Sequence, residues 1–151
     1  MTRKLVALLA LCHGALSAQQ PPLVGTWQVH FQSGMRIENG EATPLFATGT
    51  LTVQPVADSL IGTLVADPGP DMPARPPVRL AAKASSGEAT FIANSKATIN
   101  VNGAESDAAV VSTWILRAKG DSLLGTVERK IDSPHAGPQE PKPVTGVRKK
   151  G

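Results

Sequence analysis

Few residues in this 151-residue chain have the type and spacing to do chemistry. Past residue 18 two histidines remain, His30 and His135, and no cysteine, because Cys12 lies within the first eighteen residues. His30 falls on the polar phase of an alternating segment, as an ordinary exposed histidine does. His135 stands beside Asp132 and Ser133, the residue types of a catalytic triad, but a triad needs supports that are separate in sequence and converge in space. Asp67 and Asp71 flank Pro68-Gly69-Pro70 and offer two of the six or more oxygens that a calcium site needs. Two carboxylates in such a loop read first as turn residues. Asp58 and Asp121 recur in equivalent surroundings, where a hairpin turn gives each a structural job through a bond to its own backbone two residues on. Glu88, Glu105 and Asp107 show no spacing that selects a carboxylate pair. The G-x-S-x-G, S-x-x-K, H-E-x-x-H, P-loop and dinucleotide fingerprints are missing from the sequence. No catalytic role is expected, and no cofactor or metal ion is implied.

The first eighteen residues read as an address. Arg3 and Lys4 precede the apolar run Leu5–Leu11, and Gly14-Ala15-Leu16-Ser17-Ala18 supplies small residues for a signal peptidase. The run is too short to span a bilayer, which takes roughly 20 residues. Cleavage is expected after Ala18, with Ser17 as the alternative. Leu9-Ala10-Leu11-Cys12 faintly resembles a lipoprotein box, although the box wants a small residue where Leu11 stands. An exported chain without a mature cysteine has no disulfide and suits a bacterial periplasm or the extracellular space.

Export also changes the charge. The whole chain has 15 basic and 12 acidic residues, a formal +3. Cleavage takes Arg3 and Lys4 with it, so 13 basic residues face 12 acidic ones and +3 becomes +1. The remaining basic cluster, Arg148-Lys149-Lys150, has no interleaved aromatic residues on which bases could stack. A nucleic-acid partner is not expected, nor is a membrane span.

Residues 19–151 form one domain read as strand after strand. Leu23, Gly25, Trp27, Val29 and Phe31 alternate with Val24, Thr26, Gln28, His30 and Gln32, the period-two pattern of a half-buried strand. Further strands are predicted at Thr48–Gln54, Ser59–Ala66, Val78–Ala84, Ala89–Ala93, Ala97–Val101, Ala109–Ala118, Leu123–Ile131 and Val144–Lys149. Ala104–Val111 is the one place where a turn of helix is allowed. Ala57-Asp58-Ser59-Leu60-Ile61-Gly62-Thr63-Leu64 matches Gly120-Asp121-Ser122-Leu123-Leu124-Gly125-Thr126-Val127, which makes each copy a hairpin. Gly62 and Gly125 leave room for a bulge or a close neighbour. Pro-rich loops at Pro68–Pro77 and Pro134–Pro143 follow the two hairpins in turn. Strand, hairpin, strand, long loop, strand therefore occurs twice. Eight or nine strands in an antiparallel meander predict an up-and-down β-barrel, with a two-sheet sandwich as the alternative.

Gly25-Thr26-Trp27 resembles the G-x-W signature of the first strand in lipocalins and related calycin barrels. In that family the Trp closes one end beneath an Arg or Lys of the last strand. The resemblance implies this closing role for Gly25, Trp27 and Arg148, the last in Val144-Thr145-Gly146-Val147-Arg148-Lys149. A guanidinium over an indole attracts by roughly 0.5 to 2 kcal/mol. Two departures are the Pro-rich loop, where lipocalins carry a helix, and the missing disulfide. The resemblance thus implies a calycin-like barrel more firmly than lipocalin ligand binding.

Leu51, Phe91 and Trp114 are the candidate ligand-binding residues. Trp114 aligns with Leu51 in the repeat; Phe91 shares a phase with Ala89 and Ala93, while Ile92 takes the other. In a hollow barrel they line a lumen for a small apolar molecule, and in a solid one they fill it. The expected function is therefore an exported lipocalin-like binder of a small apolar ligand. The alternative is an interaction module that docks an envelope protein through loops or a sheet edge.

Overall fold

Period-two alternation governs nearly the whole chain, and the computed structural model converts it into eight strands with no helix among the described residues. Those residues are 20–70, 72–101, 104–134, 136–137 and 139–151. The predicted signal peptide 1–18 with Cys12, and the loop residues Asp71 and His135, lie outside them. The strands are β1 (Gly25–Glu38), β2 (Glu41–Val56), β3 (Ser59–Ala66), β4 (Val78–Lys83), β5 (Ala89–Val101), β6 (Ala104–Lys119), β7 (Ser122–Ile131) and β8 (Lys142–Arg148). Each pairs antiparallel with the next, and β8 returns to β1 through Trp27↔Arg148 to Phe31↔Val144. The sheet is a closed up-and-down barrel, which leaves no long exposed edge and replaces the sandwich alternative.

The inward phase explains the closure. Trp27, Val29 and Phe31 on β1 are buried with Leu51 and Val53 on β2, Leu60 and Leu64 on β3, Leu80 on β4, Phe91 on β5, Trp114 and Leu116 on β6, Leu123 and Val127 on β7, and Val144 on β8. The outward phase of β1 and β2 carries Thr26, Gln28, His30, Thr50, Thr52 and Gln54, all half-buried or exposed.

Three strand assignments differ from the sequence expectation. β5 is continuous, where Ala89–Ala93 and Ala97–Val101 were expected to be separate. Asn94, Ser95 and Lys96 look like a turn but stay in register with Val111, Val110 and Ala109. Ala104–Val111 is strand, not a turn of helix, because it pairs with β5 from Val101↔Ala104 onward. β1 and β2 run on to a hairpin at Asn39-Gly40, with an irregularity between Gln32 and Gly34 that leaves Ser33 without a partner. A bulge of this kind switches the face of every later residue.

The sequence repeat is a structural one. β1–β4 and β5–β8 are each a long hairpin followed by two shorter strands that a Pro-rich loop joins. β1, β2, β5 and β6 have 14, 16, 13 and 16 residues, against 8, 6, 10 and 7 in β3, β4, β7 and β8. Antiparallel order therefore places both hairpin tips and both Pro-rich loops at one end of the barrel. The two-residue turns Ala57-Asp58 and Gly120-Asp121 lie at the other.

Candidate functional site

The end with the short turns is sealed. Leu23 and Trp27 are both fully buried, and the indole Nε1 donates to Leu23 O at 2.9 Å. Arg148 lies opposite Trp27 in the ladder, with its guanidinium 4.1 Å from the ring centroid. Arg148 Nη1 donates to Val24 O and Nη2 to Pro22 O, each at 2.9 Å, so the arginine straps the incoming segment over the barrel. Its Nε lies 3.4 Å from Asp121 Oδ1. Gly25, at φ 136°, combines a backbone angle that L side chains avoid with a position where a Cβ would meet Arg148 Nη1. Guanidinium, indole and glycine thus form one compact cap.

The middle of the barrel is packed. Leu51 and Phe91 are fully buried and Trp114 nearly so. Phe31 meets Trp114 edge to face with centroids 5.4 Å apart, a favoured aromatic geometry. The Trp114 Nε1–H is buried and meets no acceptor. An indole N–H held away from water without a partner is costly, so this level of the barrel carries an unused donor.

The other end is open. A cavity of about 1600 Å³ extends from the barrel interior over the rim and onto the outer face at His30, Phe46 and Asp67. Its inner lining includes Ala47, Val110 and Val127. Ala47 pairs across the ladder with Phe31, and Val127 with Trp114, which sets the cavity floor at the level of these two rings. Leu51, Phe91 and Trp114, the residues expected to line a lumen, belong to the core cluster beneath it. Above the floor the cavity is bordered by Leu45, Ile99 and Ile131, by Met72 and Arg75 of the loop after β3, and by Gln139 and Glu140 of the loop before β8.

A basic residue unnoticed in the sequence lies in this lining. Arg129 continues the inward phase of Leu123, Gly125 and Val127 on β7, and Ser112 is its partner on β6. Burial, followed by repulsion from Arg75, holds its pKa below the usual arginine value. Phase alone would have revealed it, since a charge on the apolar side of a strand is unusual. The other sequence candidates serve structure at the surface. Asp67 Oδ2 accepts from Thr48 Oγ1 at 2.8 Å and from Gln28 Nε2 at 3.1 Å. Neither hairpin aspartate bonds its own backbone as expected. Asp121 turns to Arg148, and Asp58 Oδ1 accepts from Ser59 Oγ at 3.5 Å. His30 stacks on Phe46 outside the barrel, with ring centroids 5.3 Å apart. Among the described residues no three of His, Cys, Asp and Glu gather as metal ligands.

No protein-family model, curated protein or solved structure matches the chain. Among the described residues no helix is long and apolar enough to cross a membrane.

Proposed function

We propose that this chain is an exported, lipocalin-like binding protein that takes a small apolar ligand into the open end of its barrel. The observation that carries the reading is the contrast between a capped end and an open cavity whose floor is made of Ala47, Val110 and Val127. Pockets of this kind hold ligands by apolar contact and orient them through a few polar groups. The G-x-W strand and the Trp27–Arg148 stack support the lipocalin likeness. The signal-like residues 1–18 support export, which N-terminal sequencing of the natural protein checks directly. Native mass spectrometry of protein recovered from its own compartment tests the binding role. A co-purifying small molecule, lost on delipidation and regained on addition, is the expected result; a ligand-free protein that takes up no apolar molecule would sink it.

A second reading draws on the outer surface. Phe46 and Met35 on the β1–β2 hairpin are 56% and 49% exposed, an apolar pair suited to docking an envelope protein. Phe46→Ser would abolish partner capture under that reading and, because Phe46 borders the cavity from its exposed outer side, should weaken ligand uptake only slightly under the first.

A further inference from the structure

Among the described side chains three cations fall on the inward phase toward the ends of the barrel, and two of them are accounted for. Arg148 is held by the Trp27 ring and two backbone carbonyls. Lys142 Nζ lies 3.9 Å from Glu140 Oε2. Arg129 has neither a hydrogen bond nor an ion pair among the described residues. The charge that acts on it is another cation, Arg75, on the loop that borders the same cavity. A half-buried guanidinium facing a second guanidinium loses hydration and gains repulsion, so the folded state leaves it electrostatically unsatisfied.

A neighbouring polar group has the same deficiency. Trp114 Nε1 is a donor without an acceptor, and Trp114 stands two residues from Ser112, the ladder partner of Arg129. Two residues along a strand is about 7 Å. Guanidinium and indole can only donate. The cavity wall at Arg129 therefore presents donors that await an acceptor beside an apolar floor, and a second unpaired donor is buried just beneath that floor.

We infer that Arg129, backed by Arg75, seats the anionic head of the ligand, and that the ligand is a single-chain amphiphile with a carboxylate head and its apolar chain on Ala47, Val110, Val127 and Ile131. This rests on the binding role proposed above and adds the ligand's charge to it. A carboxylate matches the fork of a guanidinium with two parallel hydrogen bonds. Placed between two arginines, it also converts their mutual repulsion into two attractions. Arg129 is reached by the head while the chain stays within the barrel mouth, so head and chain are recognised by adjacent parts of one cavity.

Calorimetric titration of the mature protein with dodecanoate and with 1-dodecanol separates the two layers of the idea. Both probes have the same chain, and only one carries the charge. Dodecanoate is expected to bind about ten- to a hundredfold tighter, the worth of a charged hydrogen-bonded pair. Arg129→Leu should reduce dodecanoate to the level of dodecanol and leave dodecanol unchanged, which also reports that the barrel is folded. Arg75→Gln, on the exposed loop, should weaken dodecanoate alone by about threefold, a partly screened charge effect. Equal affinity for the two probes, or a dodecanoate preference that survives Arg129→Leu, overturns the anionic seat and leaves apolar binding standing. Failure of both probes to bind overturns the binding role together with the seat.

Discussion

The two halves of the barrel repeat each other in backbone and part company inside it. In the first half the ladder pair Gly49↔Ala66 faces the interior; in the second, the equivalent pair is Ser112↔Arg129. Leu51 of the first half corresponds to Trp114 of the second. One wall is therefore small and apolar where the other bears a hydroxyl, an indole N–H and a guanidinium. The difference extends into the backbone, since a Cβ on Gly49 would lie 2.7 Å from Val65 O and none could be accommodated without movement. A repeat supplies the frame of the barrel, and the inward charge at this level belongs to one copy of it. Of these residues Arg129 alone lines the open cavity, so at this level the interior charge comes from one side of the barrel.

The largest test of this asymmetry concerns the paired glycines that follow the hairpins. A Cβ on Gly125 would overlap the carbonyl oxygen of Ile115 on the neighbouring strand, with Leu116 Cδ2 at 2.9 Å. On Gly62 it would meet only side-chain atoms, the nearest being Leu51 Cδ1 at 3.3 Å. Backbone cannot yield without disturbing the ladder, whereas a leucine can shift by a few tenths of an ångström. Gly125→Ala should cost about 3 kcal/mol in urea denaturation and Gly62→Ala about 1 kcal/mol. Equal costs would mean that the two halves are packed alike at this level.

The turns supply a smaller comparison, of opposite sign. Ala57 and Gly120 hold the first position of equivalent two-residue hairpins, at φ 53° and 59°. A left-handed alanine costs roughly 1–2 kcal/mol, and a glycine there costs roughly 0.4–1 kcal/mol through the entropy of the unfolded chain. The net difference is about 0.5–1 kcal/mol in favour of glycine. Ala57→Gly should therefore raise the unfolding free energy by that amount, and Gly120→Ala should lower it equally. Shifts of the same sign would show that the tight turns do not set these angles.

The barrel was legible in the sequence because alternation reports which way a residue faces. Trp27 and Leu51 point inward on that criterion alone, and Trp114 by its alignment with Leu51 in the repeat. Phe91 is also buried, but the apolar Ile92 on the other phase leaves its direction open to alternation. Alternation does not report height along the barrel axis, which depends on register, so the same reading could not separate the packed level of Leu51, Phe91 and Trp114 from the open level above. Arg129 was legible by phase, yet a charge there looks like the fraying of a strand. The extensions of β1 and β5 were hidden for a different reason. Beyond Gln32 and Asn94 these strands pass the end of the packed core, and polar residues are tolerated on both faces. The bulge at Ser33 then removes what phase remained. Asn39-Gly40, with φ 52° and 79°, carries the strongest local hairpin signal in the chain and marks where β1 ends.

The smallest effect is expected at the aspartates of the same turns. Asp121 Oδ1 lies 3.4 Å from Arg148 Nε, but the Asp121 side chain is 74% exposed and solvent screens the pair. Arg148 keeps its two carbonyl acceptors and the Trp27 ring without it. Asp121→Asn should cost about 0.5 kcal/mol at low ionic strength and nearly nothing in 0.5 M salt, where the Debye length is only about 4 Å. Asp58→Asn, in the first half, removes a carboxylate that accepts only from its neighbour Ser59 and should be silent at either ionic strength. A cost above about 1.5 kcal/mol at Asp121 would mean that the carboxylate, rather than the indole and the backbone carbonyls, holds Arg148 over the barrel end. The cap would then depend on the second repeat as fully as the cavity wall does.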